Sequence, residues 1–372
     1  MISSIQVEGY RGFERFEMTN LGRLNLLVGR NNSGKTALLE ALYLLTSRGD
    51  PAALWSVLGR RGERLPGRHG LGYPGQEFDV CHLFRGHEIH VGLEFTLSAR
   101  NETPERYLTL SITRLSSEER KQLLGASAAA GVILPPPVLQ IKGHPLPPVP
   151  ILELSQAGGI LGGVQTDALD SRRISRRASE EFSAQFITPE SLETGDLLNL
   201  WDNIALTPDE SLVLRALRCL DTNIERVAAQ FAQRYFGPPS RAGFIVKLRG
   251  IEQPIPIGSM GDGMWRMLAI AIAITQCKGG VLLVDEIDTG LHYTVMSDMW
   301  RLISGAAKEL DVQVFATTHS FDCIHSLASV CVSDHDPNKM VTLQRIEPGK
   351  PRAIPYSETE IRVAAEKNIE VR

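Results

Sequence analysis

Apolar and polar positions alternate from the start of the chain. Ile5 and Val7 point one way, a turn is predicted at Gly9–Gly12, Phe16 and Met18 resume the pattern, and Leu24–Val28 forms a short apolar run. This predicts a small sheet feeding a core strand. Gly29–Thr36 reads as a loop, and Leu38, Leu42 and Leu45 carry the spacing of a helix packed on a sheet. Asp50–Gly86, rich in Gly and Arg, predicts loops and short helices. Ile89, Val91, Leu93, Phe95 and Leu97 alternate, and Leu108, Leu110 and Ile112 repeat the pattern, so a β-hairpin with one wet face is expected. Seven prolines between Pro135 and Pro150 predict an extended connector rather than a helix or a central strand. Helical spacing returns between Pro189 and Phe236, at Leu197, Leu198 and Trp201 and again from Leu212 to Ile224. Phe244, Val246 and Leu248 form a further strand, followed by Gln253–Ile257 and a long apolar helix. No repeat of about 20–50 residues and no sustained heptad is present, which excludes a solenoid or a long coiled coil.

Composition narrows the class. The 372 residues, 43% hydrophobic and 22% charged, suit one or two globular domains with ample core. A net charge of −4 provides no global basic field, so any DNA contact must be a local patch. The arginine-rich stretches GRRGERLPGR at 59–68 and SRRISRR at 171–177 are candidates for it, and solvated surface is the preferred reading of both. The five cysteines are scattered, without a C-x-x-C pair or a His spacing of the zinc type, and are expected as reduced, buried thiols. No signal peptide and no apolar run of about 18 residues stands out, so a cytoplasmic location without a membrane partner is expected.

Four motifs carry chemistry. GRNNSGKT at 29–36 satisfies G-x-x-x-x-G-K-T between a strand and a helix. Gly29, Arg30, Asn31, Asn32, Ser33 and Gly34 supply the wrapping backbone, Lys35 reaches the β- and γ-phosphates of ATP, and Thr36 offers its hydroxyl to Mg²⁺. VLLVDEID at 281–288 ends an apolar strand in two acids. Asp285 is the expected second holder of Mg²⁺, and Glu286 the general base that polarises the attacking water. VQVFATTHS at 312–320 is another buried strand, and His319 after it is the expected γ-phosphate sensor. GSMGDGMWRMLAIAIAI at 258–274 places Ser259, Gly261, Asp262 and Gly263 at a helix start, a second anion site. One protomer cannot easily aim two helix N-termini at one γ-phosphate, so this one is expected to cap the nucleotide of a partner copy.

In this order the motifs resemble the ABC-type ATPases outside the transporters, especially the RecF, SMC-like and OLD families. IQVEGYRGFERF, GRNNSGKTALLEAL, SMGDGM, LLVDEIDTGLH and TTHS look most like the stand-alone and nuclease-fused OLD-type AAA ATPases. The resemblance covers residues 1–48 and about 244–330. It implies an α/β P-loop NTPase with a mixed central sheet and flanking helices, an N-terminal antiparallel β subdomain and an inserted helical lobe. It also implies a head-to-head dimer sharing two ATP molecules, or a higher homo-oligomer built through the same shared site, with Arg11 touching nucleotide. His292 departs from the aspartate many ABC proteins carry there, and Gln76 is the nominee for the Mg²⁺ glutamine loop. The residues after His319 are too few for the fused nuclease of OLD proteins, which points to a separate nuclease or toxin effector.

The expected division is 1–115 and 241–372 as the two parts of an ATPase core, with 116–240 as an inserted connector and helical lobe. Two functions fit: an ATP-hydrolysing dimeric switch acting on DNA in repair or in antiphage defence, and an ATP-stabilised scaffold that holds a nuclease or toxin partner without acting on DNA. An intrinsic nuclease lacks a further cluster of Asp, Glu and His after residue 320, and a transporter motor suits the long insertion less well.

Overall fold

The computed structural model describes residues 1–65, 77–100, 106–119, 136–144, 151–155, 158–161, 183–190, 192, 194–230, 243–331 and 341–372. The first half runs β1 (Ser4–Tyr10), β2 (Phe13–Met18), β3 (Leu24–Val28), α1 (Lys35–Thr46), α2 (Pro51–Arg60), β4 (Glu77–Asp79), β5 (Glu94–Arg100), β6 (Arg106–Thr113), β7 (Val138–His144), β8 (Ile151–Glu153) and β9 (Gly159–Leu161). Next come β10 (Ala184–Ile187), α3 (Thr194–Asp202), α4 (Glu210–Arg218), β11 (Ile224–Ala229), β12 (Phe244–Leu248) and β13 (Ile255–Pro256). The last third holds α5 (Asp262–Gln276), β14 (Val281–Val284), α6 (Tyr293–Glu309), β15 (Gln313–Thr317), α7 (Phe321–Leu327), β16 (Val341–Arg345), β17 (Ile354–Tyr356) and α8 (Glu358–Glu366).

Two large sheets organise these elements. One is antiparallel, ordered β2-β1-β5-β6-β7-β8. The other, ordered β10-β14-β15-β3-β16-β17, is parallel except for β17 at its edge. Every residue of β3, β14 and β15 is buried, as a strand covered on both faces requires. Their side chains divide by the period of two. Leu24, Leu26, Val28, Leu282, Val284, Val314 and Ala316 join one core with α5 and α6. Leu27, Val281, Leu283 and Phe315 join the other. There Leu38, Leu39 and Leu42 of α1 meet Val7 of β1, Leu97 of β5 and Leu110 of β6. Helix α1 is thus the filling between the two sheets, which fixes the loop that precedes it from both sides.

The mixed α/β architecture with an antiparallel N-terminal sheet is as expected, but three local assignments are corrected. Val138–His144 is not a connector: it pairs along its whole length with β6, because VLQIKGH is a proline-free window between Pro137 and Pro145. Ile89 to Leu93 form no strand, and the predicted hairpin is instead β5 and β6 inside a larger sheet. Ile224 does not extend a helix. After Asp221 the chain turns into β11, which pairs with β12 and through it with β13. Among the described residues no helix is long and apolar enough to cross a membrane.

Candidate functional site

The C-terminal ends of β14, β15 and β3, adjacent in that order, point their loops to one edge of the parallel sheet. The loop Gly29–Gly34 leaves β3 and enters α1, with Gly34 as the N-cap at φ +94°. A Cβ on Gly34 would lie 2.3 Å from Cζ of Phe13, so only glycine lets the aromatic ring sit on the loop. Lys35 is 5% exposed, and its Nζ donates to the carbonyls of Gly29 at 2.8 Å and Arg30 at 2.9 Å. Burial lowers its pKa, against the pull of Asp285 and Glu286. The hydroxyl of Ser33 is buried and has no hydrogen-bond partner among the described residues, as suits a loop built to meet phosphate oxygens.

The acids arrive from β14. Asp285, 7% exposed, accepts from Thr36 Oγ1 at 2.9 Å and from Thr317 Oγ1 at 2.5 Å. Thr36 and Asp285 therefore bring a hydroxyl and a carboxylate oxygen together beside the phosphate loop, a pair of hard donors that fits Mg²⁺. Glu286 holds φ +46°, an uncommon conformation for a non-glycine residue, and its N–H donates to Thr317 Oγ1 at 2.8 Å. His319 follows β15. Its pKa is lowered by partial burial and by Lys35, with the acids Glu286, Asp285 and Asp288 opposing. Asn31 to Thr36, Asp285, Glu286 and His319 line one cavity of about 1250 Å³.

The same cavity extends to residues of the GYRGFER and 59–68 stretches and to His82, Arg85 and Lys350, which no motif announced. Arg11, Phe13, Arg15, Arg61, Glu63, His82, Arg85 and Lys350 line it. Arg11 does reach the cavity, but its guanidinium is engaged: Nε meets Glu40 at 2.9 Å and Nη1 meets Glu63 at 2.6 Å. Glu40, on α1 and 2% exposed, also receives Arg61 at 2.7 Å; its pKa is raised by burial, with Arg11 and Arg61 holding it down. The stretch 59–65 is thus not free solvated charge. Arg60 stacks over Phe186 at 4.6 Å and Arg64 over Phe78 at 5.4 Å. Gln76, residues 66–68 and the stretch 171–177 lie outside the described residues. Cys277 and Cys323 are buried free thiols as expected, whereas Cys81, Cys219 and Cys331 are only half-buried.

Ser259, Gly261 and Asp262 are exposed, and neither they nor Gly263 are among the residues lining this cavity. Gly263 touches the turn after β14: a Cβ there would stand 2.8 Å from Gly290 O. His292, at the N-cap of α6, is exposed with Nδ1 2.9 Å from Thr294 Oγ1. The same helix that begins at Asp262 holds Arg266, 2% exposed. Its Nη2 donates to the carbonyls of Asp285 at 2.5 Å and Glu286 at 2.9 Å, and its Nη1 to that of Thr188. Desolvation lowers the Arg266 pKa to about 10, with Asp285, Asp288 and Glu286 resisting. Only an arginine already known to be internal would have signalled this link, and the apolar residues around it in MWRMLAIAIAI hint at that.

Comparison with known proteins finds similarity over both motif-bearing parts of the chain. Residues 161–322 match the family described as "AAA domain, putative AbiEii toxin, Type IV TA system", and residues 1–78 match the AAA ATPase domain. An "ATP/GTP phosphatase" of Helicobacter pylori is 23% identical over 349 residues, 89% of this chain and 88% of that protein. The DNA replication and repair protein RecF of Bacillus thuringiensis is 43% identical over 44 residues, 12% of each chain. A solved Smc head domain with an extended coiled coil, bound to the C-terminal domain of ScpA derived from Pyrococcus furiosus, aligns over 99% of both chains at 11% identity and a TM-score of 0.49. The AAA ATPase domain model thus covers the phosphate loop, the other model covers Ser259, Asp285, Glu286 and His319, and the chain is an ATPase.

Proposed function

We propose that the chain is a dimeric ATP switch in which Lys35 and Glu286 of one protomer and Ser259 to Gly263 of another complete each nucleotide site. The observation that carries this reading is the exposed start of α5, outside the cavity that gathers the other motifs. A helix start preceded by Ser259 attracts a terminal phosphate through its dipole, and a partner copy can present it across the cavity mouth. In this reading Gly29 to Thr36 bind the triphosphate, Lys35 stabilises the charge that develops on transfer, and Glu286 orients the attacking water. His319 stays neutral and hydrogen-bonds the γ-phosphate. Thr36 and Asp285 would hold Mg²⁺, which neutralises phosphate charge when bound. Among downstream roles, the toxin-system description of the matched family favours antiphage defence with a separate nuclease or toxin effector of OLD-like type over DNA repair.

Mixed mutants test the shared site. Lys35→Ala and Ser259→Arg should each be inactive alone. When mixed, half of the dimers would pair the two variants, and each of those holds one intact composite site. Roughly a quarter of the wild-type turnover should therefore return for a symmetric pair. No recovery in a sample shown by sedimentation to exchange subunits would mean that each chain works alone.

A further inference from the structure

Beside the nucleotide cavity, three unlike donors from one short segment converge. Asp79 ends β4, and Cys81 and His82 lie in the 3₁₀ turn Cys81–Leu83. One donor atom from each of Asp79, Cys81 and His82 lies within 4.8 Å of the other two. His82 Nε2 stands 3.7 Å from Asp79 Oδ2, while its Nδ1 is 3.1 Å from Nδ1 of His87. All four side chains are half-buried or exposed, so an ion can reach them from solvent.

The donor set selects the ion. Mg²⁺ and Ca²⁺ take oxygen ligands, whereas a thiolate beside an imidazole suits zinc-like transition metals. Bond lengths of about 2.0–2.3 Å put tetrahedral donors roughly 3.3–3.8 Å apart. The separation of His82 and Asp79 already falls in that range. The two nitrogens of His82 have different neighbours: when Nδ1–H donates to His87, that outer contact orients the imidazole and leaves Nε2, on the Asp79 side, to bind an ion. We propose that Asp79, Cys81 and His82 form a zinc-type metal site, with His87 as the residue that positions His82.

Binding releases the Cys81 thiol proton to solvent and leaves a fourth coordination position for water. The segment is tied to the cavity mouth through three contacts: Arg11 N–H to Leu83 O at 2.9 Å, Arg11 Nη1 to His82 O at 3.3 Å, and Arg85 N–H to Gly9 O at 3.0 Å. A bound ion would therefore stiffen this part of the cavity lining. The site is separate from the oxygen pair of Thr36 and Asp285, and it stands or falls independently of the shared-dimer reading.

Cobalt(II) is the probe, titrated into the metal-free full chain in excess Mg²⁺. One equivalent should bind with a thiolate-to-cobalt charge-transfer band, and Zn²⁺ should displace it. Cys81→Ser should abolish the band, and His87→Ala should keep it while weakening cobalt affinity about 10–100-fold. Zn²⁺ should raise the melting temperature of the wild type and not of Cys81→Ser. His82→Gln provides a second ligand loss if Cys81→Ser fails to fold. Absence of the band in the wild type, or its persistence at unchanged affinity in Cys81→Ser or His82→Gln, would overturn the proposal.

Discussion

At the scale of single residues, the site rests on positions where one atom more or one proton more changes the outcome. Gly34→Ala adds a methyl 2.3 Å from the Phe13 ring at a φ that side chains avoid. The strain of about 1–3 kcal/mol should open the loop. Binding of a fluorescent ATP analogue should weaken at least about tenfold, which titration of the purified variant measures. His319 predicts a pH effect whose direction is fixed. Its folded pKa lies below the ordinary 6.5, so its contribution to stability is complete above that value and is lost as pH falls through the depressed one. The melting temperature should thus decline from about pH 6.5 downward, and His319→Gln should flatten that decline. Equal slopes in the two proteins would exclude His319 as its source. These residues were legible because each sits inside a contiguous motif. Glu40, Glu63 and Arg61 were not, because their role is a set of pairings between distant points of the chain that no local spacing encodes.

At the scale of elements, α5 and β14 are joined by a cation where an apolar contact would be ordinary. Arg266→Met keeps an unbranched stem but leaves the carbonyls of Thr188, Asp285 and Glu286 without this donor. A loss of about 2–4 kcal/mol should appear as a lower urea midpoint, with Arg266→Lys falling between. Turnover should drop as well, since the same carbonyls set the backbone that presents both acids. An unchanged midpoint would mean that water replaces the guanidinium at no cost. Element type was readable wherever periodicity was long, as in α1 and α5. It failed at β7, where flanking prolines masked a pairing window, and at β11, where Ile224 happened to continue the spacing of α4. Both strands owe their conformation to partners far along the chain rather than to their own pattern.

At the scale of the whole molecule, the phosphate-loop strand β3 occupies an interior position whose two neighbours, β15 and β16, begin at Gln313 and Val341. Residues 1–230 alone would hold the loop, α1 and all six strands of the antiparallel sheet but neither of those neighbours. Expressed as a fragment they should collect in the insoluble fraction, and co-expression with 231–372 should return them to solution. A soluble, cooperatively melting monomer of 1–230 would show that β3 is stable without its sheet. The arrangement also sets a timetable. A ribosome adding about 5–20 residues per second needs on the order of tens of seconds to pass from β3 to β16. Until β15 is made, the strand behind the phosphate loop carries two unpaired edges, a template for pairing with other nascent chains. Nucleotide competence is therefore acquired late in synthesis, and the newborn chain's exposure to chaperones is set by the order of its strands.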